Sequence, residues 1–146
     1  MKKNKIGTSF GTQYFEYYHD GKGAIKHLMK TQEGECVAAL YHPNIGDIDI
    51  VWGENNENNK GYGLKHIIEK HGDEIAQLGF KVEDFIPIVV QFGELKADKK
   101  DKDRVLLVGQ MFRVVIAKVA YKEGKKFNKT FVLTTFDLRP KITKNR

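Results

Sequence analysis

The chain has 146 residues, 40% of them hydrophobic and 30% charged, which suits one globular domain with a single core and excludes a disordered segment. Lys and Arg number 25 against 19 Asp and Glu, and the net charge of +6 points to a polyanionic partner, nucleic acid first and a membrane surface second, or else to an ordinary soluble basic surface. One cysteine excludes an intramolecular disulfide, and no apolar stretch reaches membrane-spanning length.

Residues 1–20 carry Phe10, Tyr14, Phe15, Tyr17 and Tyr18 without a clear period, and are expected to form an irregular arm. Residues 24–31 read as a short helix with Ala24, Ile25, Leu28 and Met29 on its apolar side. Residues 36–41 read as a buried strand that contains Cys36 and stops at His42-Pro43-Asn44. Alternation from Asp47 to Trp52 predicts a second strand ending at Gly53, followed by a polar, Asn-rich loop over 54–60.

The segment 61–72 reads as a short helix between glycines. Leu64, Ile67, Ile68 and His71 form its apolar stripe, and His66 falls on the polar side among Lys65, Glu69 and Lys70. This wheel gives the two histidines different roles: His66 can act as an acid or base near neutral pH, and His71 packs or caps. Residues 82–92 read as a further helix, in which Pro87 is tolerated if the helix starts near Phe85. After a charged loop over 97–104, residues 104–108, 112–121 and 129–136 read as three strands joined by short turns, an antiparallel meander. The order predicts a single α+β domain over 1–146, with short helices on one face of a mainly antiparallel sheet and a basic tail at 139–146.

Several chemistries find little support. His66 and His71 are five apart, not the four that put a zinc pair on one helix face, so neither metal nor cofactor is expected. Asp47 and Asp49 alternate onto one strand face and suit solvated carboxylates better than a cation site. Gly61-Tyr62-Gly63 lacks the third glycine of a dinucleotide fingerprint and offers only the generic helix start that can receive a phosphate. Cys36 reads as a core residue rather than a nucleophile.

What remains is acid–base cleavage of a phosphodiester. A base removes the 2′-OH proton of RNA, the 2′ oxygen attacks phosphorus, and a cation or hydrogen-bond donor holds the developing charge. His66 is the candidate base or acid. Lys118 shares a strand face with Phe112, Val114 and Ile116 and either reaches the rim or lines a cleft, while Arg113 lies on the other face. Only one of Thr134 and Thr135 can face a given site, and Phe136 is expected in the core.

The pieces Ala24-Ile25-Lys26-His27-Leu28, Gly46-Asp47-Ile48-Asp49-Ile50-Val51-Trp52-Gly53 and Gly63-Leu64-Lys65-His66-Ile67 occur in that order. The helix around Pro87 and Leu133-Thr134-Thr135-Phe136 follow them. Together they resemble the barnase–EndoU–colicin–RelE-like nuclease group, in particular its phage- and mobile-element-associated members, over roughly residues 20–138.

The resemblance implies a small α+β endoribonuclease, often a toxin domain of a larger protein. It implies a catalytic helix histidine, here His66, and a strand Thr, here Thr134 or Thr135. The expected catalytic set is thus His66, Lys118, Thr134 and Thr135, with Lys65, Lys70 and Arg113 contacting RNA, no metal and no cofactor. An acidic immunity or antitoxin protein is the expected partner, and tRNA or other cytoplasmic RNA the expected target. A non-catalytic nucleic-acid-binding module and a protein-interaction domain of a mobile element stand as alternatives.

Overall fold

The computed structural model describes residues 10–138; the basic tail expected at 139–146 lies outside them. The elements run β1 (Gln13–Tyr14), α1 (Gly21–Thr31), β2 (Glu35–His42), β3 (Gly46–Val51), β4 (Glu54–Asn55), β5 (Gly61–Tyr62), α2 (Gly63–Gln77), α3 (Val82–Phe92), β6 (Glu94–Ala97), β7 (Arg104–Val108), β8 (Phe112–Lys122) and β9 (Lys125–Asp137). Seven strands form one sheet in the order β1-β2-β3-β9-β8-β7-β6, and β4 and β5 form a separate ribbon. The β6–β9 run is the predicted antiparallel meander with one more strand, while β1–β2 and β3–β9 pair in parallel. The fold is α+β.

Three elements differ from the sequence reading for identifiable reasons. The first helix begins at Gly21, because the Asp20 carboxylate caps it by accepting the Gly23 N–H at 3.0 Å. The α2 helix runs through Gly72 to Gln77: an interior glycine costs about 1 kcal/mol, and burial of Ile75 one turn later offsets that. In α3 the start stays at Val82, so Pro87 sits inside the helix and not in its first turn. Its ring packs against Gly21 of α1, where an added Cβ would lie 3.1 Å from the ring. Phe85, Ile86, Val89 and Val90 are buried around it.

Alternation gives the sheet two unlike faces. One face, with Ile48, Ile50, Leu107, Val114, Ile116 and Val132, packs against the buried apolar residues of all three helices. The other face carries Val51, Ala117 and Phe131 and is partly roofed by Phe10 and Tyr62. Cys36 is fully buried, and burial pushes its thiol up to about 12, so it has no nucleophilic thiolate at neutral pH.

The β3–β9 pairing is brief, with Asp49 opposite Phe131 as its register pair. Beyond it β3 ends, the chain turns at Gly53, and α2 packs along β9. The turn depends on glycine at two positions. Gly53 has φ +77° and an added Cβ would lie 2.0 Å from the Tyr62 carbonyl, while Gly63 has φ +84° and faces the Gly53 backbone. The Trp52 carbonyl accepts the Lys65 N–H at 2.8 Å, tying the end of β3 to the first turn of α2. That bond occupies one of the helix-start donors that had suggested a phosphate loop.

Candidate active site

Both α2 histidines are 5% exposed, so His66 is not on a solvated polar face as its helical wheel suggested. Because α2 lies beside β9, only one stripe of it (Leu64, Ile67, Ile75) enters the helix-side core. The other buried positions, His66 and His71, meet the second sheet face and the β4–β5 ribbon. The rings of His66 and His71 stand 6.0 Å apart, edge to face, despite the 140° between their Cα positions on the wheel. A wheel locates Cβ directions; the long ring-bearing side chains lean along the helix surface and close the gap.

Residues 54–60, read as a loop, begin with β4, which pairs with β5 at Gly61–Tyr62 in the ribbon that orients His66. Its Nδ1 is 2.7 Å from the Asn55 amide oxygen. The Asn55 amide nitrogen donates to Glu69 at 2.9 Å and to Asn59 at 3.2 Å, so the amide oxygen must face the ring. An oxygen can only accept; Nδ1 therefore carries hydrogen, and in the neutral ring Nε2 holds the lone pair. Burial first, then His71 and Lys70, hold the His66 pKa below its ordinary 6.5, against the opposing pull of Glu69. The shift favours the neutral ring, with the Nε2 lone pair open.

The second face continues the arrangement. The His71 Nδ1 is hydrogen-bonded to Glu74 at 2.9 Å, and its Nε2 is buried without a partner. The His71 ring lies 6.0 Å from Phe136, and the Arg113 guanidinium carbon stands 5.3 Å over the Phe136 ring. Arg113 and Phe136 are register partners on β8 and β9 and so share this face. Phe136 is 38% exposed, not in the core as its apolar strand context suggested.

The two threonines separate. Thr134 is opposite Val115 on this second face, and its hydroxyl makes only a long 3.5 Å contact with the Thr135 carbonyl. Thr135 is opposite Val114 on the helix side, fully buried, with its hydroxyl donating to the Arg113 carbonyl at 2.7 Å. Lys118 is exposed and lines neither cavity of the second face. Its neighbours Ala117 and Val119 face the cavity there, so Lys118 points the other way, past the end of the helix-covered core. Lys65 is half-buried and Lys70 exposed, both on the helix that bears His66.

Among the described residues, no three His, Cys, Asp or Glu side chains gather into a group that could hold a metal ion. Asp47 accepts from the His19 ring at 2.8 Å, and Asp49 accepts the Ala38 N–H and pairs with Lys129, both at 2.7 Å. The two carboxylates are thereby committed within the fold.

Residues 39–141 match the family described as phage-Barnase-EndoU-ColicinE5/D-RelE like nuclease 1. The chain belongs to this family. No curated protein and no solved structure matches it. The matched span in this phage nuclease family takes in α2, both histidines, β8 and β9, so Asn55, His66, His71, Arg113 and Phe136 all lie inside it. Family membership makes nucleic acid the substrate class.

Sequence reasoning missed Asn55, Glu69 and the outward placement of Phe136. The signal for Asn55 was present in an Asn-rich stretch beside a histidine helix. Nothing in the sequence showed that the stretch folds back onto that helix.

Proposed function

We infer that this nuclease cleaves RNA without a metal, by attack of a 2′-hydroxyl on the adjacent phosphorus. The observation that carries the reading is the Asn55–His66 hydrogen bond, which fixes the tautomer with Nε2 as base. The 2′-OH proton passes to Nε2, the O2′–P bond forms and the P–O5′ bond breaks. The leaving 5′ oxygen takes a proton from solvent, giving a 2′,3′-cyclic phosphate and a 5′-hydroxyl. Arg113 is the cation this face offers to the RNA backbone beside the reacting phosphate, and the Thr134 hydroxyl supplies a further donor on the same face. Thr135 and Lys118 have no part in this scheme, because one hydroxyl is spent on the backbone and the lysine points away.

A small ribonuclease of this kind serves as a toxin acting on cytoplasmic RNA, with an acidic immunity or antitoxin protein covering its basic face. The net charge of +6 and the exposed Lys70, Lys99 and Lys100 support both partners. Among the described residues no helix is long and apolar enough to cross a membrane.

Incubation of the purified protein with RNA in EDTA tests the reading. Cleavage with 2′,3′-cyclic phosphate ends, lost in His66→Ala, is expected. Intact RNA with the wild type, or equal cleavage by His66→Ala, overturns it.

A further inference from the structure

Beside Arg113 and Phe136 the second face opens into a cavity of about 470 Å³, bounded on its far side by the loop 98–103. Leu106 and Val115 line it, Phe136 and Arg113 form one wall, and Lys99 and Lys100 stand at the loop. Aspartates in the loop are already engaged. Asp98 accepts the Lys100 N–H at 2.9 Å, and Asp101 accepts the Asp103 N–H at 2.9 Å and pairs with Arg104 at 3.2 Å. No ion pair ties Lys99 or Lys100 among the described residues. The Arg113 Nε and, behind Phe136, the His71 Nε2 are buried without partners.

An apolar floor, an aromatic ring, a stacked guanidinium and two unpaired ammonium groups are the parts of a nucleotide site: a flat π-surface for a base and cations for its phosphate. We propose that this cavity binds an unpaired base of a single-stranded nucleic acid, stacked on the Phe136–Arg113 pair, with Lys99 and Lys100 receiving an adjacent phosphate. Rings of His66, His71 and Phe136 follow one another at 6.0 Å steps, so the base belongs to a nucleotide flanking the phosphate at His66. A base held in a duplex cannot enter between the loop and the ring, so the subsite selects single strands. The identity of the ligand rests on the nuclease reading; the cavity and its wall do not.

The test is binding of a short, fluorescently labelled single-stranded RNA made uncleavable by 2′-O-methyl groups, compared with its duplex. Stacking on an aromatic side chain contributes about 1–3 kcal/mol per base, so Phe136→Ala weakens binding of the single strand about 5- to 150-fold, and Phe136→Trp restores it. Lys99→Ala with Lys100→Ala, on an exposed loop that leaves the core untouched, weakens binding and flattens its salt dependence. The slope of log affinity against log salt falls by about 0.7 for each phosphate that the variant no longer neutralises. The duplex binds more weakly, and Phe136→Ala does not change its affinity. In RNA cleavage, Phe136→Ala raises KM more than it lowers kcat.

Equal binding by the wild type and both variants, or a preference for duplex, overturns the subsite and leaves the cleavage reading standing. Phe136-dependent binding without any RNA cleavage does the reverse. A wild type that binds no single strand overturns the subsite, while the cleavage reading stands or falls on the EDTA assay.

Discussion

The helix-covered face of the sheet holds Val114, Ile116 and Val132 against the aliphatic stripes of α1, α2 and α3. The face behind it, made by the alternate residues of the same strands, holds Arg113, Thr134 and Phe136 at one end and the ion cluster of Glu35, Asp49 and Lys129 at the other. One face is held mainly by dispersion and removal from water, and its Thr135 hydroxyl is spent on the Arg113 carbonyl. Every buried polar group on the other needs a named partner, and where partners are missing, as at the Arg113 Nε and His71 Nε2, the structure has capacity left over for a ligand. The aliphatic core and the side chains proposed for catalysis are thus separated by a period of two along a strand.

The largest expected effect is on the chemical side. His66→Ala lowers kcat for RNA cleavage about 10²- to 10⁴-fold, the usual range for one acid–base group; kinetics per folded molecule, with urea unfolding to count the folded fraction, check it.

Next is a test of whether the second face also carries stability. The Lys129 ammonium is 2.8 Å from Glu35 and 2.7 Å from Asp49, with Glu35 fully buried, and it stands 5.7 Å from the Phe10 ring. Lys129→Met leaves the Glu35 carboxylate without its cation, and loss of one partner of a buried pair costs about 3–5 kcal/mol. An unfolding free energy within about 1 kcal/mol of wild type, against that expectation, would sink the assignment of this cluster as a structural lock. On the helix side, Ile116→Ala is expected to cost about 2–5 kcal/mol through lost burial and the cavity left behind, with cleavage per folded molecule unchanged.

Smaller effects test the orientation of the base. Asn55→Ala removes one neutral hydrogen bond, for about a three- to tenfold loss in kcat. The pH profile is more specific. The folded pKa of His66 lies below 6.5, so the acid limb of kcat/KM falls off below pH 6.5 in the wild type. Asn55→Asp places a carboxylate on Nδ1, favours the imidazolium and moves that limb to higher pH. The same depression has a stability consequence. The folded state binds this proton less readily than the unfolded state, so the contribution of His66 is complete above pH 6.5 and is lost as pH falls through its lower folded value.

Sequence periodicity located α1, α3, β2, β3, β7, β8 and β9 to within a few residues, because each buries one face and its apolar spacing records that burial. It missed β6, a four-residue edge strand whose Glu94 and Lys96 carry no apolar alternation. It missed the β4–β5 ribbon, whose two-residue strands are too short to have a period. In the site, His66 and Arg113 were legible as chemistry-bearing residues. Their surroundings were not. The wheel set the two histidines apart and left His66 in water, since a one-dimensional period knows nothing of a second strand and ribbon closing on the polar side. Alternation placed Lys118 with the core face, which was right for the strand direction and silent about where the helices stop.

By itself, then, the sequence determined the α+β architecture and singled out the histidine proposed as the base, because apolar spacing and a histidine between lysines are local properties of the chain. Only the tertiary structure decided what that histidine is coupled to. Gly53 and Gly63 let the end of β3 cross the start of α2, and the crossing lays the helix along β9. That contact, between residues far apart in sequence, brings Asn55 to one side of His66 and the His71–Phe136–Arg113 series to the other.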